Sequence, residues 1–111
     1  MNIQVTNRDN FTVVSIHGRI DTINAENFNT HLMHILDNEG VDHLVLDCAG
    51  LDYISSSGLR IFLVAQKKIS AVQGKLLLSN LQPTIKEIFD ISGFSTIFSI
   101  FPDTEAAIKS K

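Results

Sequence analysis

The sequence predicts an α/β domain: one mixed sheet of four to five strands, with helices packed on it. Three observations lead there. Two alternating apolar segments near the start flank a polar turn, the pattern of an antiparallel hairpin. Two later runs, Leu44-Val45-Leu46 and Leu76-Leu77-Leu78, are continuously apolar, as strands buried on both faces are. Segments of helical period lie between and after them, so helix and buried strand alternate.

Taken in order, Ile3 and Val5 and then Phe11, Val13 and Ser15 show the two-residue period of strands. Asn7-Arg8-Asp9-Asn10 has turn composition, which predicts a hairpin over residues near 2–17, ended by Gly18. Thr22 and Asn24 are candidate caps for a helix whose apolar face is Phe28, Leu32, Ile35 and Leu36. Gly40 stops it. After the Leu44–Leu46 strand, a second helix begins near Ser56 or Ser57 and carries Leu59, Ile61, Phe62, Leu63, Val64 and Ala65. Apolar residues surround it on almost every side, so it is expected to be largely buried. Gly74 leads into the strand Leu76–Leu78. Pro83 suits the first turn of a helix bearing Ile85, Ile88 and Phe89, which Gly93 ends. Ile97-Phe98 is a candidate short strand, and Asp103 a cap for a last helix through Ile108.

Composition narrows the function classes. At 111 residues the chain reads as one domain, residues 1–111. With 44% hydrophobic and 19% charged residues it is globular rather than disordered. A net charge of −3 without a basic cluster lacks the footprint of nucleic-acid binding. The single cysteine, Cys48, gives neither a disulfide framework nor metal-ligand spacing, and is expected to be a buried, inert thiol. No apolar run approaches the ~20 residues that span a membrane. The first residues lack the basic start and apolar core of a signal peptide, so a cytoplasmic protein is expected.

The segment richest in chemistry is Asp52-Tyr53-Ile54-Ser55-Ser56-Ser57-Gly58-Leu59-Arg60. Serine oxygens cap helices by accepting hydrogen bonds from unpaired N–H groups of the first turn. A helix N-terminus also favours an anion, so a serine there could carry a phosphate at little structural cost. Capping alone is the simpler role for the three serines. Asp21 lies at a second strand-to-helix junction, and such junctions gather at the carboxyl edge of parallel strands, where ligands bind. Capping of the first helix is its alternative role. Hydrolase chemistry fits poorly: the glycine two positions either side of a nucleophilic serine is only half met, by Gly58 after Ser56. His31 and His34 lie three apart without a convincing third metal ligand, and the scattered single glycines form no phosphate-cradling loop. Neither a metal nor a cofactor is expected.

Three segments together resemble the STAS domain, in particular the bacterial anti-sigma-factor antagonists. Gly18-Arg19-Ile20-Asp21 looks like the Gly-x-(Leu/Ile)-Asp of that family, and Leu51–Arg60 looks like its phosphorylation loop. Residues 80–94 are similar to its third helix and exit. The resemblance implies a mixed sheet with helices mainly on one face, and a role in partner switching. In that role the unphosphorylated antagonist binds an anti-sigma factor that is also a serine kinase. Phosphorylation on the loop serine releases it, and a serine phosphatase resets it. The family loop reads Asp-Ser-(Ser/Thr)-Gly, with the first hydroxyl residue modified. That register implies phosphorylation at Ser56, with Ser57 and Ser55 as the other candidates, and puts Ser55 where the family has an acid. Asp21, Ser55, Ser57, Gly58 and Arg60 are the implied partner-binding residues, in a monomer or weak dimer that is not an enzyme. The alternative is a STAS module of a larger assembly, such as a stress-sensing complex or a lipid or anion transport system, with no phosphorylation cycle.

Overall fold

The chain first reverses at Asp9, where φ is 56°. A short polar side chain tolerates that left-handed conformation. The computed structural model describes residues 1–110, and there the turn joins β1 (Asn2–Arg8) to β2 (Phe11–Ile20) in antiparallel register, Arg8 opposite Phe11 and Asn2 opposite His17. The remaining elements are α1 (Ala25–Asp37), β3 (His43–Ile54), α2 (Ser56–Ala71), β4 (Lys75–Ser79), α3 (Pro83–Ser92), a short 3-10 turn (Phe94–Thr96), β5 (Ser99–Phe101) and α4 (Thr104–Lys109). The five strands form one sheet in the order β1-β2-β3-β4-β5. All pairings beyond the hairpin are parallel.

The apolar triplets behave as their pattern predicts. Leu44, Leu46, Leu76 and Leu78 point into a core shared with α1, α2 and α3. Val45 and Leu77 point the other way, into a smaller cluster with Phe11, Val13, Ala107 and Ile108 under α4. Three helices therefore cover one face and a single short helix the other. Within the larger core Phe62 is fully buried, its ring centroid 5.9 Å from Phe28, 6.1 Å from Phe89 and 6.4 Å from Phe98.

The hairpin pairing stops at His17 opposite Asn2, as expected, while β2 itself runs on past Gly18 to Ile20 against β3. Gly18 takes φ +98°, which a residue without a Cβ adopts freely, and beside it the register jumps from Gly18 opposite Leu51 to Arg19 opposite Tyr53. The extra residue, Asp52, makes a bulge in β3. Three expectations need correction. Ile97-Phe98 is not a strand. The left-handed Gly93 turns the chain into the 3-10 turn, Phe98 is buried among Phe62, Phe89 and Phe94, and the strand starts at Ser99. Asn24 occupies the cap position of α1, but its side chain does not cap that helix. Finally, α2 is not wrapped all round. Val64 is 40% exposed, and Arg60, Lys67 and Lys68 are also at the surface, because one flank of α2 borders an open groove.

Removing the Phe62 ring leaves a void that three facing rings cannot all collapse into. Phe62→Ala is expected to cost about 3–5 kcal/mol. Val64→Ala, on the open flank, is expected to change stability by no more than about 0.5 kcal/mol. Urea unfolding of the two variants measures both.

Candidate phosphoacceptor site and its surroundings

The carboxyl ends of β2 and β3 lie side by side, with Ile20 opposite Ile54. One residue beyond each strand stand Asp21 and Ser55, so the structure brings the two junctions together. The Ser55 N–H donates to the Ile20 carbonyl at 2.8 Å, which ties the start of α2 to the end of β2.

The three serines divide the work that their sequence left undivided. Ser55 is the cap: its Oγ accepts from the Gly58 N–H at 3.2 Å, its carbonyl accepts from the Leu59 N–H at 3.0 Å, and the residue is only 7% exposed. Ser56 is the first residue of α2 and is exposed. Ser57 is half-buried and lines the groove between α1 and α2. With Gly58 satisfied by Ser55, the N–H groups of Ser56 and Ser57 are first-turn donors beyond the reach of the helix's own carbonyls.

Gly58 lets this junction close. A Cβ there would lie 2.8 Å from Ile20 Cγ2 and 2.8 Å from Ile54 Cγ1. Such contacts force the helix end away from the sheet. Ser55 and Gly58, implied by the resemblance as partner-binding residues, are thus both buried, and they shape the surface from beneath.

Asp21 organises the neighbouring turn. Its Oδ1 accepts from the N–H groups of Asn24 at 2.9 Å and Ile23 at 3.0 Å, and its carbonyl accepts from the Ala25 N–H at 3.0 Å. Asn24 braces the same turn, accepting from the Asp21 N–H and donating to the Arg19 carbonyl, each at 2.9 Å. The Asn24 N–H is the chief reason that the Asp21 carboxyl lies below its ordinary pKa; the Ile23 N–H and Arg19 act in the same direction, against partial desolvation. Ile23, held at the tip of this turn, is 90% exposed. Beside it, the Arg19 guanidinium stands 4.5 Å from the centre of the Tyr53 ring and 3.7 Å from the Asp21 carboxylate.

From this edge a groove of about 470 Å³ runs between α1 and α2. Ala25, Met33, Ile61 and Val64 give it an apolar floor, with Ser57, Arg60 and Glu26 among its polar lining. At its far end Lys68 pairs with Asp37 at 3.1 Å. Sequence reading missed this groove. The only signal for it was Val64 and Met33, apolar residues lying off the core stripes of their helices, and such residues are common on ordinary surfaces. Cys48 lies outside the site, fully buried, and burial pushes its thiol far above the usual range, so it is not a reactive thiolate. Among the described residues, no group of three or more His, Cys, Asp and Glu side chains is placed to hold a metal ion, and no helix is long and apolar enough to cross a membrane. His31 and His34 are both exposed on α1, and His34 faces Glu39 at 3.7 Å.

A mixed sheet with a capped helix at the carboxyl edge of its parallel strands, a serine beside the cap and a bulged strand under it define an α/β fold of a particular class. The family model for the STAS domain matches residues 2–107. The chain belongs to the STAS domain family. It is 38% identical over 107 residues to the putative anti-sigma factor antagonist BtrV of Bordetella bronchiseptica, covering 96% of this chain and 91% of that one. In three dimensions it is similar to an anti-sigma factor antagonist from Mycobacterium paratuberculosis, with a TM-score of 0.88 at 21% identity, covering 98% and 92% of the two chains. It is also similar to the Bacillus cell fate determinant SpoIIAA in its phosphorylated form, with a TM-score of 0.75 at 21% identity over 99% and 100%.

Two measurements check this account of the site. Ser55→Ala is expected to lose about 1 kcal/mol, the usual cost of a missing cap, whereas Ser56→Ala is expected to stay within about 0.5 kcal/mol of wild type. Denaturant titration separates them. The second concerns Asp21. Its N–H partners favour the ionised carboxyl, so it holds a proton less tightly folded than unfolded. Its stabilising contribution is present above the ordinary value of 3.8 and is lost as pH falls through the depressed folded value. Thermal melts of wild type and Asp21→Ala are therefore expected to differ at pH 6 and to converge as pH drops below about 4.

Proposed function

We propose that this protein is an anti-sigma factor antagonist that works as a phosphorylation-controlled partner switch. Unphosphorylated, it binds an anti-sigma factor that is also a serine kinase. That kinase phosphorylates Ser56, the complex dissociates, and a serine phosphatase restores the starting form. The protein acts by binding and carries no catalytic centre of its own.

The observation that carries the reading is the division of roles between Ser55 and Ser56. The cap is supplied by Ser55, so Ser56 is exposed and spared for modification. The departure from the family loop, serine in place of the acid, thereby leaves the helix start capped. The 38% identity to a protein named as a putative anti-sigma factor antagonist supports the same role. A histidine base is lacking as support for hydrolysis: among the described residues no histidine is hydrogen-bonded to Ser55, Ser56 or Ser57.

Release follows from electrostatics. Phosphorylation adds about −1.5 to −2 charges at neutral pH. The domain tolerates that charge, because the amino end of α2 favours an anion. A partner that covers Ser56 with apolar or acidic groups does not, since a charge buried without a counter-ion is costly. The surface offered to the partner combines Ser56, Ser57, Arg60 and the turn that Asp21 braces, with Ile23 at its tip.

Incubation with the organism's anti-sigma factor kinases and ATP, followed by phosphopeptide mapping, is expected to place the phosphate on Ser56 and to give none on Ser56→Ala. By calorimetry, wild type and Ser56→Ala are expected to bind the kinase alike, Ser56→Asp more weakly, and the phosphoprotein weakest. Modification mainly at Ser55 or Ser57 would sink the assignment of the acceptor. Equal affinity of the phosphorylated and unphosphorylated forms would leave the passive assembly module as the function.

A further inference from the structure

We propose that Arg60 is the internal counter-charge for a phosphate on Ser56, and that phosphorylation withdraws Arg60 from the partner surface as it adds its own charge. The inference rests on Ser56 being the acceptor.

Ser56 and Arg60 are four residues apart in α2. Side chains at that spacing are neighbours on one helix face, with Cβ atoms about 5–6 Å apart. Because Cα–Cβ bonds in a helix tilt toward its N-terminus, Arg60 leans back over the turn that carries Ser56. The anion precedes the cation, which is the favourable order for such a pair. Both residues are exposed, so neither needs to move its neighbours to meet.

Arg60 is also uncommitted. Among the described residues it takes part in no ion pair, while the other nearby cations are engaged: Lys68 with Asp37 at 3.1 Å, Arg19 with Asp21 and the Tyr53 ring. The remaining charges around this edge are acidic. Glu26 shares the groove with Arg60, Asp21 follows β2, and Asp52 sits in the bulge of β3. A phosphate on Ser56 thus meets negative neighbours and one free guanidinium. The planar guanidinium can bind two phosphate oxygens at once, which a lysine cannot match.

Two consequences follow. The paired phosphate keeps its full charge at lower pH, since its second ionisation is drawn below the usual value of about 6. The guanidinium that lines the groove in the unmodified protein is turned to the end of α2 instead, so the partner loses a contact and gains a repulsion together.

The test uses the full chain with phosphoserine installed at position 56 by genetic encoding, which needs no kinase. Phosphorus NMR titration then reads the second pKa directly. Wild type is expected to titrate roughly half a unit below Arg60→Gln, with Arg60→Lys between them. The difference is expected to shrink in 0.5 M salt, as an exposed pair is screened. Identical titration of wild type and Arg60→Gln would overturn the pairing, and the partner switch would still stand. Absence of any kinase that modifies Ser56 would sink the switch instead, and would leave this titration unaffected.

Discussion

The amino end of α2 is seated on the carboxyl ends of β2 and β3 by a handful of contacts, and the arrangement of the site depends on them. The Ser55 N–H reaches the Ile20 carbonyl, Ser55 Oγ takes the Gly58 N–H, and the bare Cα of Gly58 rests against Ile20 and Ile54. Each contact needs the others. A side chain at position 58 would lift the helix and break the Ser55 bonds, while an uncapped helix end would leave buried N–H groups without partners. Because this junction is tight, the next residue is forced outward. Ser56 is exposed because Ser55 and Gly58 are not.

The sheet beneath has an uneven sandwich around it. Three helices cover one face and the short α4 the other, so β3 and β4 are buried on both sides while the carboxyl edge stays open. β3 reaches that edge only by accommodating extra residues against β2. One irregularity lies between the pairs Ser15–Asp47 and His17–Gly50, the other at Asp52. The first is stitched by side chains: the Ala49 N–H donates to Asp47 Oδ1 at 3.1 Å, and the Ala49 carbonyl accepts from Gln82 Nε2 at 2.9 Å. At the same place Gly50 lies directly under the His17 ring, where a Cβ would collide. Bulges of this kind re-aim a strand at the rim of a sheet. Here they deliver Ile54 beside Ile20, which the serine junction requires.

Asp21 has a structural role in the turn beside the serine edge. Its carboxylate is spent on backbone N–H groups of the β2–α1 turn. What it thereby presents is Ile23, a large apolar side chain held almost entirely in solvent next to the serine edge. An exposed apolar residue on a braced turn costs little entropy to dock, since it is already ordered before a partner arrives. In the proposed switch, any contribution of Asp21 to recognition runs through the shape of its turn.

Much of this architecture was legible in the sequence because it rests on local rules. Continuous apolar triplets specify strands buried on both faces, Pro83 and Gly93 bracket α3, and Asp103 caps α4 through the Ala106 N–H at 2.8 Å. The serine run announced a helix start. Tertiary structure alone decided which serine caps and which is exposed, since three identical side chains in a row differ only in what the sheet places next to them. It likewise decided that β2 continues past Gly18, because the bulge at Asp52 is a property of two paired strands and not of either one. The groove between α1 and α2, and the freedom of Arg60 beside it, come from helix packing at long range. Residue pattern records which face of a helix is apolar, but the distance to the next helix is set by the packing of the whole core.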